Sequence, residues 1–316
     1  MTEETSVLIL RPSSLEAGKR LDAYLAERIE GWSRSRLQRL IESGEILVND
    51  KQAKASYRIN EGDQVDVDLE EEPVERFEPE DIPLDIVFED EFLAVINKPA
   101  GMVVHPGAGI TSGTLANAVA YHFSLARHSS LIARLGIVHR LDKSTSGLIV
   151  IAKDEQTHEA LAEQFRNREV YKSYTALVHG SPRDNSGTID RPIARDRWHR
   201  TKMTVAANGR HALSLWKVRQ RFEKFTLVDV DIKTGRTHQI RVHLASINHP
   251  VVGDETYNEG RDNTIANPEI KKAVQKLGRF FLHAEKLSFL HPKANERLSF
   301  TSDLPQELKD FVDLLS

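Results

Sequence analysis

The segment Gly136-Ile-Val-His-Arg-Leu-Asp-Lys-Ser-Thr-Ser-Gly147 runs directly into Leu148-Ile-Val-Ile-Ala152 and is the most informative part of the chain. The apolar run predicts a buried strand, and the polar segment predicts a turn at its start. Asp142 stands on this turn between two basic residues, where core packing does not call for an acid. A carboxylate beside fixed positive charge stays ionised and can act as a nucleophile or base without a metal or cofactor.

The charged triplet Arg140, Asp142 and Lys143 also has a simpler interpretation. Taken alone, it is typical of a solvated turn that caps a strand, because most charge clusters lie on protein surfaces. The other motifs of the chain, described below, favour the chemical interpretation.

The composition bounds the class of protein. A chain of 316 residues with 40% hydrophobic and 28% charged residues suits two soluble globular domains. No apolar run approaches the roughly 18 residues that a membrane span needs, and Met1-Thr-Glu-Glu4 lacks the basic start of a signal peptide. The absence of cysteine excludes disulfides, thiolate chemistry and zinc bound through sulfur. We therefore expect a cytoplasmic protein that does not contact a membrane.

The net charge of −4 hides an uneven distribution of charge along the chain. Basic residues outnumber acids between Lys19 and Arg58, whereas the charges from Glu61 to Asp81 are acidic except for Arg76. Since local patches rather than the total set the affinity for phosphate, the net charge does not exclude nucleic acid.

Residues 15–72 are predicted to form a small domain. The apolar residues of 20–29 and 36–43 recur at helical spacing, Gly44 ends the second helix, and 46–50 and 62–69 alternate as short strands. The stretches "KRLDAYLAE", "SRSRLQRLIESGEILVND" and "EGDQVDV" resemble the S4 RNA-binding domain. The resemblance implies RNA binding through basic residues that meet phosphates. They are Arg20, Arg34, Arg36 and Arg39.

Residues 73–83 are acidic, contain three prolines and are predicted to be a linker. Residues 84–316 are predicted to form the second domain. Strands are expected at 85–89, 92–97, 148–152, 174–178, 213–218 and 226–232, and helices at 114–123, 155–168 and 238–247. Because strands outnumber helices and do not alternate with them strictly, we expect a mixed α/β domain with a mainly antiparallel sheet and flanking helices.

Four segments of this domain resemble, in order, the motifs of the RluA-type pseudouridine synthases. They are "NKPAGMVVHPG" (97–107), "GIVHRLDKSTSGLIVIAK" (136–153), "REVYKSYTALVHG" (168–180) and "DIKTGRTHQIRVHLASINHPVVGD" (231–254). With the S4-like domain, the chain is most similar to the RluD-like members, which modify large-subunit ribosomal RNA. The resemblance implies an isomerase that needs no metal and no small-molecule cofactor.

The resemblance also implies roles for three residues. Asp142 would be the catalytic carboxylate, although the sequence leaves open whether it acts at C1′, C2′ or C6 of the nucleotide. Arg236 corresponds to the basic residue expected to pair with Asp142 and keep it charged. Tyr174 would stack on the uracil or assist proton transfer. Tyr171, three residues away, should point to the opposite face of the same strand.

Further residues are predicted to hold RNA around this centre. Arg140 is expected to fill the stack that a flipped uridine vacates, and Ile240 either lies beneath the base or belongs to the core. Gly136, Gly147 and the small residues 144–146 would let the RNA backbone approach closely. The predicted phosphate contacts are Lys98, His105, Lys143 and Lys202.

Three other functions are alternatives to this prediction: a metal site, a serine hydrolase and a non-catalytic RNA-binding factor. The spacing of His139, His238 and His243 does not match a metal motif, and Gly-x-Ser-x-Gly of a serine hydrolase is absent. A non-catalytic S4-type ribosome-assembly factor is the main alternative, and transfer RNA is the alternative substrate. The expected partner is ribosomal RNA, free or within a large subunit or its precursor, and the protein is expected to be a monomer.

Overall fold

A computed structural model describes residues 8–29, 32, 34–67, 78–105, 110–123, 136–199 and 202–316, except the side chains of residues 35, 36, 39 and 43. These residues belong to two compact units, which divide between Glu75 and Arg76. Within the described ranges, no helix is long and apolar enough to cross a membrane. The predicted phosphate contacts Arg36 and Arg39 lie in a described helix, but their side chains are outside the described ones.

The N-terminal unit packs two helices on a four-stranded antiparallel sheet. The helices are α1 (Leu21–Arg28) and α2 (Arg34–Ser43), and the strands are β1 (Leu8–Leu10), β2 (Ile46–Val48), β3 (Lys51–Gln52) and β4 (Val65–Val67) in the order β1-β4-β2-β3. Asn49 and Asp50 both have positive φ, as the tight hairpin between β2 and β3 requires. Leu21, Leu25 and Leu37 are fully buried and join the two helices to the sheet.

The C-terminal unit is built on a nine-stranded sheet with the order β5-β6-β7-β14-β8-β13-β12-β9, and β15 pairs with β14. The strands are β5 (Ile86–Glu89), β6 (Leu93–Lys98), β7 (Ser146–Ala152), β8 (Tyr171–His179), β9 (Ser186–Asp190), β12 (Leu213–Arg221), β13 (Phe225–Ile232), β14 (Leu282–Leu290) and β15 (Arg297–Thr301). Only the β7–β14 pair is parallel, so the predicted mixed, mainly antiparallel sheet is confirmed. Strands β10 (Ile193–Arg195) and β11 (Met203–Val205) form a separate hairpin.

Among the described residues of this unit, five α-helices flank the sheet. They are α3 (Leu115–His122), α4 (Glu155–Asn167), α5 (Gln239–Ser246), α6 (Pro268–Leu277) and α7 (Gln306–Leu315). Thr114 caps α3 and Asp154 caps α4, each with a side-chain oxygen that accepts from the backbone three residues on. The described part of the predicted linker is tied to α3, because the Asn117 side chain donates to the Glu78 carbonyl at 2.8 Å.

The central strand β7 fixes the position of the segment that carries Asp142. Its seven residues are all buried. Gly136 has a φ of 68° and packs so closely on Ala152 that a Cβ would lie 1.8 Å from its carbonyl oxygen. A Cβ on Gly147 would lie 2.3 Å from the Ala284 oxygen of β14. The expectation that these glycines admit the RNA backbone is therefore wrong: both are buried against protein backbone.

Candidate active site

The turn before β7 presents the Asp142 carboxylate to a cleft. The Asp142 carbonyl accepts from the Thr145 amide at 3.0 Å, which closes the turn, and Leu141 is buried beside it. The side chain of Asp142 is 18% exposed, so it is largely shielded yet open to a ligand. Arg241 of α5 donates from Nη1 to Asp142 Oδ2 at 3.2 Å. A guanidinium hydrogen-bonded at this distance restricts the direction of the carboxylate.

Arg241 replaces Arg236 as the partner predicted for Asp142. Arg236 lies in the turn before α5, and its Nε donates to the His211 carbonyl at 3.1 Å. Arg241 lies within the helix, where its side chain is 6% exposed. The expected pairing of Arg236 with Asp142 is thus not the pairing in the structure, because the start of α5 at Gln239 turns Arg241, and not Arg236, towards the carboxylate.

The guanidinium of Arg241 is held from several sides. Its Nε and Nη2 donate to the two oxygens of Asp254 at 2.7 and 2.8 Å. The ring of Phe280 lies 4.2 Å from its central carbon and the ring of Tyr257 lies 4.9 Å from it. Burial alone would lower the pKa of Arg241, but the two carboxylates outweigh burial and raise its pKa above the ordinary value. Arg241 therefore remains positively charged.

The cleft next to Asp142 has a volume of about 600 Å³, and its lining combines apolar side chains with many polar and charged ones. Tyr174 of β8 and Ile240 of α5 both line it and are 6% and 5% exposed. Burial and the Asp142 carboxylate raise the pKa of the Tyr174 hydroxyl far above its ordinary value. Tyr171, by contrast, is exposed and donates to Asp231 at 3.1 Å. The structure thus brings Tyr174, and not Tyr171, to the cleft.

Arg140, Lys143 and His105 lie around the same carboxylate. Arg140 is exposed and lines both this cleft and an adjoining one of about 1080 Å³. Lys143 is exposed and lines the adjoining cleft, whereas His105 lines the first. The three side chains thus lie around the two clefts that Asp142 lines.

Lys98 has a different place from the one predicted. It is fully buried, and its Nζ donates to the carbonyls of Pro99, Met102 and Lys143 at 2.7, 2.9 and 3.4 Å. Burial, with Arg279 nearby, lowers the pKa of Lys98 to about 7. The prediction of a phosphate contact is wrong for this residue, because its ammonium group ties β6 to the turn that carries Asp142. Lys202 likewise donates to the Thr256 carbonyl at 3.0 Å.

The histidines of the motifs have hydrogen-bonding partners within the protein. His139 stacks on Phe165 with ring centroids 4.6 Å apart, and its Nε2 accepts from the Val150 amide at 3.1 Å. Burial and Lys172 lower the pKa of His139 to about 3, so the ring is neutral. His238 lies 2.7 Å from the Tyr257 hydroxyl, and His243 contacts Ser214 and the Arg191 carbonyl. In the described ranges, no three His, Asp or Glu side chains are grouped as metal ligands.

The rim of the cleft carries cations that repel one another. Burial and repulsion from Arg210 and Arg168 lower the pKa of Arg236 below its ordinary value. Burial and repulsion from Lys233 lower the pKa of Lys172, which also lines the cleft, to about 8. Cations that repel one another across an opening attract a polyanion.

Two of the predicted phosphate contacts in the N-terminal unit bind a buried acid. Arg20 and Arg34 both donate to Asp22, whose side chain is 0% exposed, at distances of 2.9 to 3.1 Å. Burial alone would raise the pKa of Asp22, but hydrogen bonds from Arg20, Gln38 and Arg34 hold it well below its ordinary value. Both arginines remain nearly half exposed, so they can still reach a phosphate.

Sequence reasoning missed Arg241 and Asp254, although both lie in the fourth motif. A possible signal was that Arg241 stands between Ile240 and Val242, since an arginine inside an apolar helical segment needs a buried acidic partner. Asp254 follows Val251, Val252 and Gly253 in the same way. An arginine and an acid that each lie in apolar surroundings are candidates for one buried pair.

Known protein families match parts of both units of this chain. Residues 92–246 match the family model described as RNA pseudouridylate synthase, and residues 19–65 match the S4 domain. An uncharacterized RNA pseudouridine synthase of Bacillus subtilis is 40% identical over 303 residues, which cover 96% of each chain. The ribosomal large subunit pseudouridine synthase D of Escherichia coli O6:H1 is 39% identical over 96% of this chain and 92% of its own.

A solved structure gives the same result for the fold. The protein titled human RNA Pseudouridylate Synthase Domain Containing 4 is 27% identical and superposes with a TM-score of 0.56. The match covers 73% of this chain and 92% of that one.

Proposed function

Because this chain belongs to the RNA pseudouridylate synthase family and carries an S4 domain, we propose that it converts uridines of large-subunit ribosomal RNA to pseudouridine with Asp142 as the catalytic carboxylate. The reaction type follows from the family. The choice of RNA rests on relatives such as the ribosomal large subunit pseudouridine synthase D of Escherichia coli, 39% identical over 96% of this chain. The expected place of action is the cytoplasm, where this RNA is made and assembled.

One observation carries the assignment of Asp142. Its carboxylate is paired with Arg241 at 3.2 Å, yet keeps 18% of its surface open to the cleft that Tyr174 and Ile240 line. A buried ion pair that served only to stabilise the fold would be expected to be shielded from solvent on all sides. A charged carboxylate with a free edge in a partly apolar cleft suits attack on, or proton removal from, a bound nucleoside.

The isomerisation is balanced without an external reactant. The bond between N1 of uracil and C1′ of the ribose breaks, the detached uracil turns, and a bond forms between C5 and C1′. The proton of C5 leaves, and N1 of the product carries a proton. Asp142 can assist cleavage and accept a proton, while Arg241 holds the direction of the carboxylate between these steps.

The walls of the cleft support a flipped nucleotide. Tyr174 keeps its hydroxyl proton because its pKa is raised, so the ring can stack on uracil and the hydroxyl can donate a hydrogen bond. Ile240 supplies an apolar surface beneath the base. Arg140 is exposed at the border of the two clefts, and we propose that its guanidinium enters the stack that the uridine leaves.

Two basic regions are proposed to hold the RNA backbone. Near the active site these residues are Lys143, His105 and Arg236, with Arg168, Arg210 and Lys172 on the same rim. In the S4 domain they are Arg20 and Arg34, together with Arg36 and Arg39. Contacts of this kind supply affinity that falls with salt and carry little base specificity.

The experiment measures tritium release from RNA labelled at C5 of uridine. Wild type and Asp142→Asn are compared on large-subunit ribosomal RNA, on assembled large subunits and on transfer RNA, with filter binding to each RNA. Release by wild type from ribosomal RNA or from the particle, and none above background by Asp142→Asn at equal binding, is the expected result.

Each other outcome removes part of the proposal. Release from transfer RNA alone would contradict the ribosomal substrate. Undiminished release by Asp142→Asn would contradict the role of the carboxylate. If wild type releases no tritium from any of the three RNAs while still binding them, the chain acts as an RNA-binding factor instead.

A further inference from the structure

We propose that Asp254 is a positioning residue for catalysis: it holds the Arg241 guanidinium so that a single nitrogen faces Asp142. This inference rests on the role proposed for Asp142. Asp254 lies on the segment after α5, and its side chain is 0% exposed, so it does not contact RNA. Its effect on the reaction must pass through Arg241.

The geometry divides the guanidinium between two acids. Asp254 accepts from Nε and Nη2, along one edge of the planar guanidinium, at 2.7 and 2.8 Å. Asp142 accepts from Nη1 alone at the longer distance of 3.2 Å. A two-point contact fixes both the position and the plane of a guanidinium, whereas a one-point contact leaves it free to turn.

Aromatic rings fix the same plane. Phe280 and Tyr257 lie within 4.2 and 4.9 Å of the Arg241 central carbon. Tyr257 is itself held, since its hydroxyl accepts from the Met203 amide at 2.8 Å and lies 2.7 Å from His238. The guanidinium therefore lies against two aromatic rings. Among the described residues, the carboxylates that bind it are Asp142 and Asp254.

Asp254 is held as firmly as the arginine that it orients. Its Oδ1 also accepts from the Thr256 amide at 3.1 Å. The preceding Gly253 has a φ of 78° and approaches so closely that a Cβ would lie 2.3 Å from the Arg279 oxygen. The turn at Gly253 is thus packed against the backbone of Arg279. A shift of the Asp254 carboxylate would therefore also displace the segment that contains Arg279.

The consequence concerns the free edge of Asp142. Without a carboxylate at 254, the guanidinium would have two more N–H groups without an acceptor in a buried site. It would turn and bind Asp142 through two nitrogens, which occupies oxygen lone pairs that the reaction needs. The nucleotide could still enter the cleft that Tyr174 and Ile240 line, because Asp254 borders only the adjoining cleft, but the Asp142 carboxylate would be misdirected.

The first variant is Asp254→Asn, compared with Asp262→Asn. Asp262 belongs to the same segment, but its partners are His179, Asn258 and the Gly253 amide instead of Arg241. We expect Asp254→Asn to lower kcat about 100-fold, the cost typical of a small misplacement of a catalytic group, while KM changes less than about threefold. Asp262→Asn should leave kcat within about twofold. Thermal unfolding of both variants is measured alongside.

A double-mutant cycle separates positioning from general stability. Arg241→Lys cannot make the two-point contact, so adding Asp254→Asn to it should lower kcat by less than about threefold more. Multiplication of the two single effects would overturn the inference, because Asp254 would then act independently of Arg241. An unchanged kcat in a folded Asp254→Asn protein would overturn it as well.

Asp254→Glu keeps the test decisive if Asp254→Asn does not fold. The glutamate retains the charge but displaces it by one methylene, so kcat should fall at least about fivefold with KM and the unfolding temperature near wild type. Wild-type kcat in this variant, with Asp142→Asn inactive, would contradict the positioning role alone. Activity in Asp142→Asn would instead contradict the proposed function.

Discussion

Each of the two units of this protein contains a buried acid that binds arginine. In one unit two arginines share one acid, and in the other two acids share one arginine. In the S4 domain, Arg20 and Arg34 both serve Asp22, which is 0% exposed. In the catalytic domain, Arg241 forms ion pairs with both Asp254 and Asp142, whose side chains are 0% and 18% exposed. The first cluster has a surplus of positive charge and a fully enclosed acid. The second has a surplus of negative charge, and the acid with the open edge faces the cleft.

This comparison explains why an acid–arginine pair alone does not indicate catalysis. A buried carboxylate that several donors surround has no lone pair left for a substrate, and its contribution is to the fold. A carboxylate that shares one cation with another acid keeps both its charge and a free edge. The count of donors and the exposure of the acid, rather than the presence of the pair, distinguish the two sites.

The largest effect is expected when the shared cation is removed. Arg241→Gln leaves Asp142 and Asp254 without their guanidinium in a buried site, which should cost about 3–5 kcal/mol of unfolding free energy. The variant should also lose at least about 100-fold in kcat, because the carboxylate is no longer oriented. Urea unfolding and single-turnover tritium release measure the two effects. Wild-type values of both would show that Arg241 is dispensable.

The corresponding change in the other cluster should affect stability without affecting chemistry. Asp22→Asn leaves Arg20 and Arg34 without a buried counter-charge and should destabilise the N-terminal unit by about 2–4 kcal/mol. At RNA concentrations that saturate the enzyme, kcat should stay within about twofold of wild type. A loss of kcat as large as that of Asp142→Asn would remove the distinction between the clusters.

Lys98 should make the stability of the catalytic unit depend on pH in the alkaline range. Its ordinary pKa is 10.5, as in an unfolded chain, and burial lowers it to about 7 in the fold. Between these values the unfolded chain binds a proton that the folded chain has released. The unfolding free energy should therefore rise with pH, by at most about 1.4 kcal/mol per unit.

The measurement is urea unfolding of wild type and Lys98→Met between pH 7 and 10. The methionine preserves the length of the side chain and removes the titrating group, so the difference between the two proteins should grow with pH in favour of wild type. A constant difference would mean that Lys98 keeps its proton in the fold.

The smallest effect is expected at Arg236, which the family resemblance pairs with Asp142. Arg236 contacts the His211 carbonyl at the rim, so Arg236→Gln should leave kcat within about twofold. If it contacts one phosphate, the salt dependence of RNA binding should weaken by about one unit of slope or less. Filter binding over a salt series tests this. A drop in kcat comparable to that of Arg241→Gln would return the pairing role to Arg236.

Much of the fold could be predicted from local pattern. The expected helices 114–123, 155–168 and 238–247 correspond to α3, α4 and α5 within one residue at each end, because capping residues and apolar periodicity are local signals. The hairpin of β10 and β11 was not predicted. Each of its strands has three residues, which is too short for a period of two to be recognised.

The candidate site could be predicted only in part. Asp142 and Tyr174 stand out in their motifs, and the structure brings both to one cleft. The choice between Arg236 and Arg241 depends on which side chain faces the distant turn that carries Asp142, and His238 reverses the chain before α5 with a φ of 56°. Periodicity locates the helix but does not show which of the nearby arginines meets a carboxylate from another segment. The burial of Lys98 and of the two glycines depends on contacts between distant strands, which single-sequence periodicity does not encode.

The most direct test of the account compares Asp142→Asn with Asp22→Asn in single-turnover tritium release from large-subunit ribosomal RNA or its assembled subunit. Both variants replace a carboxylate that arginine binds with an amide of the same shape. The account predicts background release by Asp142→Asn at unchanged RNA affinity, and near wild-type release by saturated Asp22→Asn. Wild-type release by Asp142→Asn would contradict the claim that this carboxylate performs the chemistry.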